Sequence, residues 1–283
     1  MEVIYNKTEG EYTTKAREVN KYKNNAAIDI GVDNLATITS DAIGSIPYII
    51  NGRALKSINQ FYNKRLSSLK SIYHSQGIKS GNKSKKLTMK RNLMIKDYLH
   101  KASRRITDWC ILNNIKYLYI GHNNGWKKNC DMSNKSNQKF VQIPFNDLIK
   151  MIEYKCNEVG IEVKVIQEAY TSKCSSLDNE PICKHEKYCG KRIKRGLFQS
   201  RNGLINSDVN GSLNILRLGT NKNFKIENKF NPIKITNINE LNDVCYFNYN
   251  EPVDRGQVFC PNGRDFTKNL VLSIILLKND NES

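Results

Sequence analysis

The first half of the chain changes from the apolar pattern of strands to the spacing of amphipathic helices. Residues 26–32, 35–39 and 46–50 are short apolar runs separated by turn residues, which predicts three strands in an antiparallel arrangement. Apolar residues then recur at every third or fourth position on both sides of a polar stretch at residues 75–83. This spacing predicts two helices, each with one apolar face.

The second half alternates strand and helix patterns. It predicts a fourth strand at residues 117–120, a helix at 144–160 and a fifth strand at 161–166. An irregular basic loop follows at residues 170–203, and a last helix begins at residue 206. Three antiparallel strands followed by parallel strands and helices is the plan of an α/β, ribonuclease-H-like fold. We therefore expect a mixed sheet in the order 3-2-1-4-5, with the two helices at residues 52–114 as an insertion.

The charge of the chain points to a polyanionic partner. Its 283 residues include 45 Lys and Arg against 27 Asp and Glu, a net charge of +18. Residues 52–107 hold 15 basic residues and one acid, and residues 191–201 hold five basic residues and no acid. We expect nucleic acid as the partner, rather than a merely solvated basic surface. The residues expected to contact it are Arg53, Lys56, Lys64, Arg65, Lys85, Lys86, Lys90, Arg91, Arg104, Arg105, Lys191, Arg192, Lys194 and Arg195.

Other classes of protein are disfavoured. No apolar run approaches the roughly 18 residues of a membrane-spanning helix, so we expect no membrane partner. The first residues do not have the pattern of a secretion signal. The eight cysteines are therefore expected to be reduced thiols of a cytoplasmic protein rather than disulfides.

Asp29 is a carboxylate within the most apolar predicted strand. An unpaired carboxylate buried in such a strand is energetically costly, and a metal ion at a sheet edge or cleft would offset that cost. The alternative is a structural Asp that accepts backbone hydrogen bonds in the adjacent turn.

Several segments resemble, in the same order, the TnpB (OrfB) proteins that insertion sequences encode. Residues 27–37, AIDIGVDNLAT, resemble their first RuvC motif, and residues 98–106 resemble their long helix. Residues 170–173 and 190–197 look like the segment after their fifth strand. Residues 205–215, INSDVNGSLNI, are similar to their third RuvC motif.

The resemblance covers about residues 20–235 and implies a function in transposition. Members of this family are RNA-guided DNA nucleases, related to type V CRISPR effectors, that use DNA and a guide RNA. It implies that Asp29 and Asp208 are the first and last carboxylates of a site for two Mg²⁺ ions. It also implies three regions. These are a remnant of a wedge domain at residues 1–24, a RuvC-like nuclease domain at residues 25–220 and an irregular tail at residues 221–283.

The second RuvC motif departs from the family pattern. The family usually ends the fourth strand with Glu, whereas this chain has Gly121 there. Glu168 ends the fifth strand, which should lie about 4.8 Å from the fourth. We expect its carboxylate to replace the missing one, as in a subset of the family that looks similar. The alternative is a surface Glu at the end of a strand.

The cysteine segment also departs from the family, whose members usually carry two Cys-x-x-Cys pairs there. Cys174, Cys183 and Cys189 form no such pair. Their spacing favours a metal-free loop within residues 170–203 over a degenerate zinc site.

Three functions stay open on the sequence. The first is a Mg²⁺-dependent DNA endonuclease with Asp29, Glu168 and Asp208 as catalytic residues. The second is a catalytically inactive nucleic-acid-binding remnant or repressor, which Gly121 and the short segment before Asp29 favour. The third is a basic structural or ribosome-associated protein that shares the pattern by chance.

Overall fold

Six strands form the main sheet of the computed structural model, which describes residues 22–122 and 142–224 and the backbone of 233–235. These strands are β1 Asn24–Ile30, β2 Asn34–Ser40, β3 Tyr48–Asn51, β4 Ile115–Gly121, β5 Glu162–Ile166 and, numbered last in chain order, β9 Ile233–Ile235. Their order is β5-β4-β1-β2-β3-β9. The predicted order 3-2-1-4-5 is confirmed, and β9 is an unpredicted strand that lies parallel to β3.

Within residues 22–122 and 142–224, four helices accompany this sheet. They are α1 Arg53–Ser75, α2 Asn82–Leu112, α3 Phe145–Glu158 and α4 Ser207–Thr220. The first two are the predicted insertion between β3 and β4. Tyr62 Oη and Thr88 Oγ1 lie 3.0 Å apart across this hairpin, and Tyr98 donates a hydrogen bond to the backbone oxygen of Asn51. These contacts fix α1 and α2 to each other and α2 to the end of β3.

A second, three-stranded antiparallel sheet lies where the sequence predicted an irregular loop. Its strands are β6 Lys191–Lys194, β7 Leu197–Ser200 and β8 Gly203–Asn206. Gly196 and Gly203 have φ values of +78° and +121°, which glycine adopts without strain at the connecting turns. The strands have only four residues each, and every residue of β6 is exposed. The period-two alternation that reveals a strand in a sequence is therefore missing.

Helix α4 covers the face of the sheet that carries the candidate site. Ile215 and Leu216 of α4 pack with Ala27 of β1 and Tyr119 of β4. Because side chains alternate along a strand, Asp29 lies on the same face as Ala27. The packing of α4 therefore determines what surrounds Asp29.

Two predicted regions lie almost wholly outside the described residues: the wedge remnant at residues 1–24 and the tail at residues 221–283. None of the described helices combines the length and the apolarity needed to cross a membrane.

Candidate active site

Asp29 lies directly against helix α4. A β-carbon at Gly211 of α4 would stand 2.6 Å from Asp29 Oδ2, closer than real contacts allow. The absence of a side chain at this position lets the helix backbone approach the carboxylate. Asp29 is thereby held between β1 and α4, at the bottom of a cleft.

Glu168 fills a space that Gly121 leaves at the end of β4. Gly121 pairs with Ile166 across the parallel strands β4 and β5, and Glu168 follows two residues later. A β-carbon at Gly121 would overlap Glu168 Oε2. The carboxylate of Glu168 therefore takes the space that a side chain on β4 would need.

Burial and neighbouring carboxylates act on Asp29, and burial acts on Glu168. Desolvation raises the pKa of Asp29 well above its usual range, and the charges of Glu168 and Asp208 raise it further. Arg192 opposes this rise. Desolvation also raises the pKa of Glu168 to about 7. Burial therefore disfavours the ionised forms of Asp29 and Glu168, and like charge disfavours that of Asp29 further.

Asp208 differs from the other two carboxylates because polar groups contact it. It lies in the first turn of α4, where Asn206 accepts hydrogen bonds from the backbone N–H groups of Asp208 and Val209. Its Oδ2 accepts a 2.6 Å hydrogen bond from Asn34 Nδ2, and its Oδ1 lies 3.5 Å from Arg192 Nη2. By contrast, no hydrogen bond to the carboxylates of Asp29 and Glu168 is found within residues 22–122 and 142–224.

The carboxylates of Asp29, Glu168 and Asp208 do not form a ready-made metal site. No three His, Cys, Asp or Glu side chains among the described residues are grouped as a metal site. The Nη2 atom of Arg192 donates to Ser207 Oγ at 2.9 Å and lies 3.5 Å from Asp208 Oδ1. A cationic side chain thus lies beside the carboxylates.

A cleft of about 560 Å³ opens over Asp29 and Asp208. Four of the residues predicted to bind nucleic acid line it: Arg53, Lys56, Arg192 and Arg195. Asp33, in the turn between β1 and β2, forms ion pairs with both Lys56 and Arg195. The turn between β6 and β7 is therefore joined across the cleft to the turn between β1 and β2.

The other predicted nucleic-acid contacts lie elsewhere. Lys64 and Arg65 are exposed on α1, and Lys191 and Lys194 are exposed on β6. On α2 the corresponding residues are Lys85, Lys86, Lys90, Arg91, Arg104 and Arg105.

Within that group on α2, Arg91 and Arg104 have protein partners. Arg91 turns inward and donates to Asn59 Oδ1 at 2.8 Å and to the backbone oxygen of Gln142 at 2.7 Å. Arg104 pairs with Asp108 at 3.2 Å. Arg91 therefore contributes to the packing of the hairpin.

Hydrogen bonds to one carboxylate join the two ends of the cysteine segment, residues 174–189. Glu180 is only 4% exposed, and its two oxygens accept hydrogen bonds from the backbone N–H groups of Ser175 at 2.7 Å and Cys189 at 2.8 Å. Cys174 is buried, whereas Cys183 is exposed with its Sγ atom 3.4 Å from His185 Nε2. Glu180 thus links the two ends of the segment.

Several of these residues escaped the sequence analysis. The sequence indicates only a turn at Asp33 and Asn34, whereas in the structure they pair with Arg195 and Asp208. Asn210 and Asn214 carry a signal in the sequence, because two amides four residues apart lie on one face of a helix whose other positions include Val209, Leu213 and Leu216.

Two family models match successive parts of the chain. The family OrfB_IS605, described as a probable transposase, matches residues 6–127. The TNB domain of Cas12f1-like proteins matches residues 145–215. A search of curated proteins finds no match.

Two solved structures are similar to the chain. A cryo-EM structure of a Cas12f1-sgRNA-target DNA complex has 20% identity and a TM-score of 0.47, covering 68% of this chain and 49% of that one. A cryo-EM structure of a CRISPR-Cas12f ternary complex has 21% identity and a TM-score of 0.50, covering 68% and 38%. The chain therefore spans half or less of these solved proteins, and the likeness is one of fold. In sequence and fold, the chain is a TnpB/Cas12f-like protein.

Proposed function

We propose that the chain is a metal-dependent nuclease with a RuvC-like site formed by Asp29, Glu168 and Asp208. The carboxylate of Glu168 at the end of β4 carries this proposal. It takes the space left by Gly121, although burial there raises its pKa to about 7. Keeping an acid in such a place is unfavourable for folding, which is typical of a site kept for chemistry.

The donor set suits a hard divalent cation. Carboxylate oxygens are the ligands that Mg²⁺ prefers, and those of Asp29 and Glu168 accept no hydrogen bond from the described residues. Asp208 would complete the set once Arg192 moves aside. A bound Mg²⁺ would supply Lewis acidity and an activated water for phosphodiester hydrolysis. It would also offset the repulsion that raises the pKa of Asp29.

Nucleic acid is the substrate class that the surroundings favour. Arg53, Lys56, Arg192 and Arg195 line the cleft, and the charge of the insertion adds a wider basic surface. The similar solved structures are described as complexes with sgRNA and target DNA, or as a ternary complex. We propose DNA as the substrate of this chain and a guide RNA as its partner.

A cleavage assay tests this proposal. The full chain, purified with the RNA that accompanies it, is incubated with DNA and Mg²⁺ or Mn²⁺. Glu168→Gln should lower the cleavage rate by roughly 10²-fold or more, because it removes a negative group from the reacting centre. Glu162→Gln is the matched control, since this glutamate of β5 is exposed and pairs with Lys164, and it should leave the rate unchanged.

A second function, nucleic-acid binding without cleavage, is favoured by one observation. Arg192 faces Asp208, and the described residues contain no grouped metal site. On this alternative the chain binds DNA with an affinity that falls steeply with salt, because phosphate contacts release counterions. No cleavage would be detected, and Glu168→Gln would leave binding unchanged. That result would replace the first proposal with the second.

A further inference from the structure

Helix α4 contacts every part of the candidate site, and it does so through two adjacent faces. One face carries Gly211 and Ile215, which lie against Asp29 and beside Gly121. The other face carries Asn210 and Asn214, which lie against the chain segment that follows Glu168. Asp208 lies in the first turn of the same helix.

The segment that carries Glu168 is anchored at both of its ends. Before it, Ile166 pairs with Gly121 in β4, and its backbone oxygen accepts a 3.0 Å hydrogen bond from the N–H of His122. After it, the turn from Tyr170 to Cys174 closes through hydrogen bonds to the backbone oxygen of Tyr170. Tyr170 itself has a φ of +63°, the left-handed region that is costly for a bulky residue. Such a turn needs support from its surroundings.

Asn214 supplies that support. Its Nδ2 atom donates hydrogen bonds to the backbone oxygens of Thr171 and Cys174, both at 2.8 Å. Its Oδ1 atom accepts a 2.8 Å hydrogen bond from Arg217 Nη1, which fixes the orientation of the amide. Asn214 is wholly buried, so each of these bonds is costly to lose.

Asn210 supports the same turn from one helical turn earlier. Its Nδ2 atom donates to the backbone oxygen of Cys174 at 2.9 Å, and its Oδ1 atom accepts from the backbone N–H and the hydroxyl of Ser176. Cys174 O therefore receives hydrogen bonds from both asparagines. Their four-residue spacing matches the rise of one helical turn, so the segment is held along the helix axis.

We propose that Asn214, assisted by Asn210, is a positioning residue that holds Glu168 in register with Asp29 and Asp208. This inference rests on the proposed function, because it assumes that the three carboxylates share a metal. Asp208 has its place from the start of α4, and Asp29 from contact with Gly211. Asn214 fixes the position of Glu168 relative to the same helix, through the turn that follows Glu168. One helix thus sets the relative positions of all three ligands.

The test is a double-mutant cycle read by metal affinity. Mn²⁺ binding to the full chain is measured by electron paramagnetic resonance for wild type, Asn214→Asp, Glu168→Gln and the double variant. Asn214→Asp keeps the side-chain volume and the bond from Arg217, but it removes both donated hydrogen bonds. It should weaken Mn²⁺ binding about 10-fold, as is usual for a residue that orients a metal ligand. In the Glu168→Gln background it should cause no further loss.

Thr107→Val controls for a general loss of stability. Thr107 is wholly buried in α2 and donates to the backbone oxygen of Ser103, but it does not contact the turn. This variant should leave Mn²⁺ affinity unchanged. Hydrogen exchange of residues 171–176 in the metal-free protein should accelerate in Asn214→Asp and not in Thr107→Val. If Asn214→Asp fails to fold, Asn210→Ala, which releases the same turn at Cys174 and Ser176, is expected to show the same lack of additivity.

The outcomes distinguish the positioning role of Asn214 from the proposed function of the site. Weaker binding in Glu168→Gln with full affinity in Asn214→Asp would overturn the positioning role and leave the proposed function standing. The positioning role would also be overturned if the losses of Mn²⁺ affinity in the two single variants multiply in the double variant. If wild type binds no Mn²⁺, or Glu168→Gln binds as tightly as wild type, the shared metal site itself is refuted, and the inference with it.

Discussion

Glu168 and Glu180 are two glutamates twelve residues apart with opposite surroundings. Glu180 is 4% exposed, and two backbone N–H groups donate hydrogen bonds to its carboxylate. Glu168 lies partly buried at the end of β4, where no hydrogen bond from the described residues reaches its carboxylate. Glu180 lies in the segment that carries Cys174, Cys183 and Cys189, and Glu168 lies beside Gly121 of β4.

The contrast distinguishes a structural acid, Glu180, from the acid that we propose to be functional, Glu168. The backbone N–H groups of Ser175 and Cys189 satisfy the carboxylate of Glu180, so this residue should stabilise the fold. Desolvation without such donors makes the charge of Glu168 unfavourable, so this residue should destabilise the fold in the absence of a cation. Stability measurements can therefore distinguish the two roles independently of any activity.

The largest expected effect is on Glu180. Glu180→Ala leaves the buried N–H of Ser175 and the partly buried N–H of Cys189 without their partner, which should lower the free energy of unfolding by about 4 kcal/mol. Urea denaturation of the full chain measures this change. Glu186→Ala, at an exposed glutamate in the same segment, should stay within about 0.5 kcal/mol of wild type. A loss no larger in Glu180→Ala than in Glu186→Ala would show that Glu180 is not a cross-link.

The next effect is a dependence of stability on pH. The pKa of Glu168 is about 7 in the folded protein and near 4.5 in the unfolded chain. Between these values the folded state holds a proton that the unfolded state has lost, so stability falls as pH rises. With no metal present, Glu168 should lower the free energy of unfolding by about 3 kcal/mol over this range.

Urea denaturation at several pH values between 4.5 and 8, with a chelator present, measures this fall. Glu168→Gln should remove most of it. Part should persist, because the pKa of Asp29 is also raised. Parallel curves for wild type and Glu168→Gln would mean that Glu168 is solvated and does not fill the space at Gly121.

The fold was largely predictable because its strongest patterns are local. β1 and β2 are short apolar runs that are buried along most of their length, and the inserted helices have the spacing of amphipathic helices. The order of these elements was enough to predict the sheet. The second sheet was missed because the exposed strand β6 has no such periodicity. β9 was missed because three residues in an Asn-rich segment give too little pattern.

The candidate site was predictable to the extent that its acids stand out in the sequence. Asp29 interrupts an apolar strand, and Glu168 follows the strand beside Gly121. The groups around them were not predictable in the same way. Asn34 contacts Asp208 across 174 positions of the chain, and Asp33 meets Arg195 only after both turns have folded. No local pattern records such contacts, because tertiary packing creates them.

The smallest expected effect concerns the cysteines. Because Glu180 already links the ends of this segment through Ser175 and Cys189, a bound zinc ion would add no necessary cross-link. Cys183→Ser, at an exposed cysteine, should therefore change the free energy of unfolding by less than about 0.5 kcal/mol. Treatment with EDTA should leave the unfolding midpoint of the Glu168→Gln variant unchanged, since that variant lacks the other proposed metal ligand. Zinc bound in stoichiometric amount and lost in Cys183→Ser would instead make Glu180 a neighbour of a metal site, and the two glutamates would no longer be opposites.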